Sequence, residues 1–201
     1  MLKENSVLRS EAREALANKW GMAAVTTLVY WAITGIISII PIIEIILACL
    51  ISLPLRYGFN VLFLNTLREG KDIQVEKLFD GFHDYGRILG TMLLVCVYTI
   101  LWMLLLIIPG IIKAYSYVLT PYILKDHPEL KFNQAIEESM RLMNGNKMKL
   151  FLLDLSFIGW FLLCLLTFGI GFLWLHPYVY TAHAAFYEDL VKNEAECIKA
   201  E

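Results

Sequence analysis

The apolar run over residues 88–124 constrains this chain more than any other feature. As one straight helix it would be roughly 55 Å long at about 1.5 Å per residue. A bilayer's hydrocarbon core is about 30 Å thick, so the run must double back. The stretch "LLIIPGIIKAY" (105–115) offers the place. Pro109 cannot continue the hydrogen bonding of a preceding helix, and Gly110 tolerates turn dihedrals. The run over 149–190 is also too long for one span, and "TFGIG" (167–171) supplies its turn. Two further apolar stretches, 20–40 and 42–66, meet at Pro41. Hydrophobic residues make up 58% of the chain and charged ones 18%, with a mean hydropathy of +0.60. Soluble domains average about 45–50% apolar and about a quarter charged, so lipid is the expected solvent. The expected fold is all-α and polytopic: six transmembrane helices as three hairpins, with short amphipathic interfacial helices, in a single integral membrane domain over 1–201.

Charge placement bears on orientation. Of the 17 basic residues, all but Arg56 and Lys113 fall before the first span, between the second and third, between the fourth and fifth, or in the tail. The turns at Pro41, Gly110 and Gly169 carry none. By the positive-inside rule the basic side, with both termini, is cytoplasmic. Lys113 lies about one turn beyond the hairpin at Gly110, so its stem can snorkel to the outer surface. No secretory signal peptide is expected, because residues 1–19 are charged and amphipathic with no apolar core. The net charge of −2 gives no basicity that would suggest a nucleic-acid partner. Cys49, Cys96, Cys164 and Cys197 lack metal spacing and read as reduced, structural thiols.

The segments between spans are patterned. In "DIQVEKLFDGF" (72–82), Val75, Leu78, Phe79 and Phe82 share a helical face. In "PELKFNQAIEESMRLMNG" (128–145), Phe132, Ala135, Ile136, Met140 and Met143 form one face, opposite Asn133, Glu137, Glu138 and Arg141. Leu8, Ala12, Ala15, Leu16 and Trp20 form a similar stripe at the N-terminus. Each can lie in the interface against lipid or against the bundle. The chain thus divides into three units, 6–67, 72–125 and 128–190, each an interfacial helix followed by a hairpin. They are either a threefold repeat or three hairpins packed convergently.

At "LWMLLLIIPGIIKAYSYV" and "GNKMKLFLLDLSFIGWFLLCLLTFGIGFLWLHPYVYTAHAAFYEDL" the sequence resembles a known family. It is similar to the bacterial integral membrane proteins catalogued as domain of unknown function 975. "LPLRYGFNVLFL" and "SEAREALANKW" fit the same resemblance, which covers nearly the whole chain. It implies a bacterial plasma-membrane protein, Gram-positive in origin, whose biochemical role is unassigned. It supplies no catalytic residues to carry over.

Charged groups inside spans cost about 2.5–3.5 kcal/mol each on insertion scales and call for a reason. Arg56 and Asp154 are the two deepest opposite charges, and an approach between them is expected. The reading is either a structural ion pair or a substrate or ion site. Pro54 also frees the carbonyl of Leu50, which could line a polar pocket. His176 and His183 share a face of the last span but stand roughly 10 Å apart, too far to ligate one metal. The candidate intramembrane polar site is therefore Arg56, Asp154, His176 and His183, and the candidate interfacial surface is Asn133, Glu137 and Arg141. Phosphate loops, nucleophile elbows and zinc-protease helices are absent from the sequence. The expected role is non-enzymatic, with no cofactor: a component of the bacterial envelope that contacts membrane lipids, other membrane proteins or itself. A small-molecule transporter or permeability factor is the alternative, and a membrane enzyme ranks third.

Overall fold

The computed structural model describes residues 2–37, 48–70 and 72–200. The turn expected at Pro41 lies outside them. Every element among the described residues is helical. They are α1 (Asn5–Ala15), α2 (Trp20–Ile37), a π-helical turn (Ala48–Ser52) running into α3 (Leu53–Glu69), and a 3₁₀ helix (Val75–Phe82). Then come α4 (Tyr85–Leu105), α5 (Ile107–Tyr117), α6 (Thr120–Asp126), α7 (Asn133–Leu142), α8 (Lys147–Leu155), α9 (Ile158–Leu166) and α10 (Phe172–Ala200). Three helical stretches are long and apolar enough to cross a membrane: Tyr85–Leu105, Ile107–Asp126 and Lys147–Leu166. This supports membrane association.

The reversal after α4 falls three residues earlier than Pro109. Leu106 is extended, at φ −158° and ψ 134°, and separates α4 from α5. Pro109 then sits in the first turn of α5, where its missing N–H leaves no helical bond unmade. Gly110 has a different task. A Cβ built on it would lie 2.7 Å from the Cα of Met103, so α4 and α5 touch backbone to backbone there. Lys113, three residues on, places its Nζ 5.1 Å from the centre of the Trp102 ring. The other turn lies where the sequence put it: Gly169 has φ +87°, and its N–H donates to the Cys164 carbonyl at 3.0 Å.

Burial divides the molecule. One core joins Leu8, Leu16, Phe59, Phe63, Leu78, Tyr122 and Phe186, all shielded from the outside. The long apolar side chains near the two described turns are bare: Leu104 is 79% exposed, Ile107 and Ile108 73%, Leu166 77% and Phe168 99%. Exposed apolar side chains in such numbers mark a surface that meets lipid or a partner. The amphipathic segments mostly turn their apolar stripes to the protein. Leu8, Ala12 and Leu16 of the first and Leu78 of the second have no exposed surface. Val75–Phe82 is 3₁₀ rather than α-helical and lies across α3. Two glycines allow that crossing, Gly58 under the Leu78 carbonyl and Gly81 under the Pro54 carbonyl.

Cys49, Cys96 and Cys164 are free thiols. The Leu50 carbonyl, deprived of its helical donor by Pro54, accepts a hydrogen bond from the Tyr85 hydroxyl at 3.0 Å. It is satisfied by that side chain.

Candidate functional site

Asp154 faces inward from α8 and is held from two other helices. Its Oδ1 lies 2.6 Å from Nε2 of His183 on α10, and its Oδ2 accepts the hydroxyl of Tyr115 on α5 at 2.9 Å. Both carboxylate oxygens are thus engaged, and neither by arginine. The expected approach of Arg56 to Asp154 is corrected here: the partners of Asp154 are His183 and Tyr115. Depth along a helix places a residue on its axis, but rotation about that axis decides which neighbour it meets. Arg56 instead is exposed on α3 and lines a small cleft of about 210 Å³ with Cys96, Thr99, Tyr117 and Pro121.

His176 sits one layer away, in an aromatic nest. Its ring centre is 4.8 Å from that of Tyr180, 5.2 Å from Phe59 and 5.8 Å from Trp31. Tyr180 also reaches His183, at 6.4 Å, and so stands between the two histidines. Among the described residues the buried Nδ1 of His176 has no hydrogen-bond partner, and neither has the hydroxyl of Tyr122, which is wholly enclosed. Of the four polar residues expected to form one site, the structure brings Asp154 and His183 into contact. It sets His176 near them through Tyr180, with Arg56 close enough to His176 for their charges to interact but not bonded to Asp154. A carboxylate shared by a phenol and an imidazole can hold and pass a proton. Among the described residues no group of three or more His, Cys, Asp or Glu converges as a metal site.

A second polar cluster was not anticipated. Arg68, at the end of α3, grips both oxygens of Asp126 at the end of α6, each at 2.6 Å, and also reaches Glu188 on α10. Tyr187 donates its hydroxyl to Asp126 at 2.8 Å and stacks on Tyr122, with ring centres 5.3 Å apart. Residues from the ends of α3 and α6 and from α10 meet here. Arg68, Asp126 and Glu188 are 58 and 62 residues apart, and nothing local in the sequence marks their convergence.

On α7, Asn133, Glu137 and Arg141 are all exposed, as expected of a solvated face. Two of them are also engaged within the protein. Asn133 accepts the Tyr98 hydroxyl at 3.1 Å. Arg141 pairs with Glu138 at 2.6 Å and with Glu194 on α10, tying α7 to the last helix. The hydrogen bond from Arg141 holds the Glu138 carboxyl below its usual range.

No curated protein and no solved structure matches this sequence. A family described as "Protein of unknown function (DUF975)" matches it twice, over residues 1–115 and 99–194. With these matches spread over nearly all of its length, the chain belongs to the DUF975 family.

Proposed function

We propose that the chain is a non-enzymatic, multi-pass protein of the bacterial plasma membrane that contacts lipids or other membrane proteins. The observation that carries this reading is the division of the surface. Bare leucine, isoleucine, phenylalanine and tryptophan cover the helices around the turns at Leu106 and Gly169. The clusters of Arg68 and Arg141 and the polar face of α7 gather elsewhere. The topology we propose is six membrane segments paired as three hairpins with both termini cytoplasmic, supported by the segregation of the basic residues. The test is complementation of a deletion strain with two variants: N133A/E137A/R141A, and H176A/H183A. Failure of the first together with rescue by the second supports a working cytoplasmic surface. The reverse result, with both proteins inserted at normal levels, contradicts it.

A second reading is movement of a small solute or proton through the bundle. The specific observation in its favour is the Tyr115–Asp154–His183 triad beside the unpartnered His176 nitrogen. The reverse complementation result would favour it.

A further inference from the structure

We propose that the groove between α1, α9 and α10 is a binding site for one anionic phospholipid. The groove holds about 640 Å³. Its walls include Trp160 and Leu163 from α9 and Trp174 and Leu175 from α10, and at one end stand Arg9 and Arg13 from α1. The site rests on the reading that this is a lipid-contacting membrane protein, and it names the lipid class and the place.

Three observations favour an anionic amphiphile. The first is the charge at one end. Arg9 and Arg13 are one helical turn apart, where like charges repel. Among the described residues neither is within ion-pair distance of a carboxylate. Arg9 Nη1 donates to the Ser156 carbonyl at 3.3 Å, yet its Nε is buried without a partner. Both arginines line the groove, where a phosphate diester would give them a counter-charge in the geometry arginine matches best.

The second is the wall. Trp160, Leu163 and Trp174 are each about half exposed beside the groove, and an acyl chain would cover them. The third is length. The Arg9 backbone is fixed at the level of Tyr178, whose hydroxyl donates to the Arg9 carbonyl at 3.2 Å. The far end of the groove is at Thr167 and Gly171. From Tyr178 to Gly171, at the start of α10, is seven residues, about 10 Å. The groove therefore fits a phosphate at the arginine end and the adjoining part of an acyl chain beyond it.

The test uses the full chain purified in dodecyl maltoside and its own tryptophan fluorescence. Phosphatidylglycerol and phosphatidylcholine, both with brominated acyl chains, are titrated as quenchers. The brominated phosphatidylglycerol should quench saturably at about tenfold lower mole fraction than the phosphatidylcholine. Arg13 is exposed, so R13Q should fold as the parent does and lose most of that preference. R9Q/R13Q should abolish it, and W20F/W160F/W174F, which removes every tryptophan lining the groove, should lose most of the saturable quenching while Trp31 and Trp102 remain. Glycerol 3-phosphate should not displace the lipid, which separates lipid binding from capture of a free phosphate. Equal quenching by the two lipids overturns the site. A preference that survives in R9Q/R13Q also overturns it but leaves the lipid-contacting reading standing. Absence of saturable quenching by either lipid overturns both.

Discussion

Gly58 of α3 lies directly under the backbone carbonyl of Leu78: a Cβ built on Gly58 would stand 2.0 Å from that oxygen. Gly81 repeats the arrangement against the Pro54 carbonyl, at 2.1 Å. The obstructing atoms are backbone, so no side-chain rotation relieves an added methyl. G58A and G81A should each lower stability by at least the ~1–3 kcal/mol typical of overpacking, read as a lower melting temperature in detergent. Gly21 is a helical glycine with open space around it. G21A should be neutral or stabilising by up to ~1 kcal/mol.

Arg68 binds carboxylates from two helices, and losing it would leave Asp126 and Glu188 facing each other. R68Q should cost about 1.5–3 kcal/mol, the range for hydrogen bonds to charged groups. R68K should recover only part of it, because a lysine cannot match the two-pronged grip on Asp126. Unfolding of the purified protein in detergent would show both effects. Equal stability of R68Q and the parent would mean that the cluster contributes nothing.

The contact between Asp154 and His183 predicts energetic coupling between them. In a double-mutant cycle of D154N and H183A the losses should be non-additive by about 0.5–3 kcal/mol. The cycle of D154N with R56Q should be additive within about 0.5 kcal/mol. Coupling to Arg56 rather than His183 would restore the pairing that counting depths along the sequence suggested.

Much of this fold is legible in the sequence, and the misses have identifiable physical causes. The helical class, the turn at Gly169 and the amphipathic face of α7 follow from apolar run length, glycine placement and 3.6-residue periodicity. The reversal at Leu106 does not, because a proline stops one helix or opens the next with equal ease, and Pro109 opens α5. Val75–Phe82 has helical spacing, but Gly58 and Gly81 draw it so close to α3 that it takes up the protein rather than the lipid surface. The Asp154 site was half visible. The carboxylate and both histidines stood out as polar groups in apolar runs, whereas Tyr115 is one of ten tyrosines and carries no local signal. The Arg68 cluster joins residues up to 120 positions apart and depends wholly on how α3, α6 and α10 pack.

The pairing of Glu138 with Arg141 predicts a pH dependence. The Glu138 carboxyl is held low in the folded protein, so its contribution to stability is present above the unfolded value of about 4.3. That contribution is lost as the pH falls through the lower, folded value. E138Q should therefore melt below the parent at pH 7, and the difference should vanish in acid. A difference that persists unchanged at low pH would mean that the effect is not electrostatic.

The central claim is that apolar hairpins enter the membrane while the polar face of α7 stays in the cytoplasm. Single-cysteine labelling tests it most directly. With the native cysteines replaced by serine or alanine, cysteine is introduced at Asn133, and in a second protein Cys197 alone is kept. A membrane-impermeant maleimide should label neither in intact cells and both in inverted membrane vesicles. Labelling of either position from outside intact cells would contradict the account.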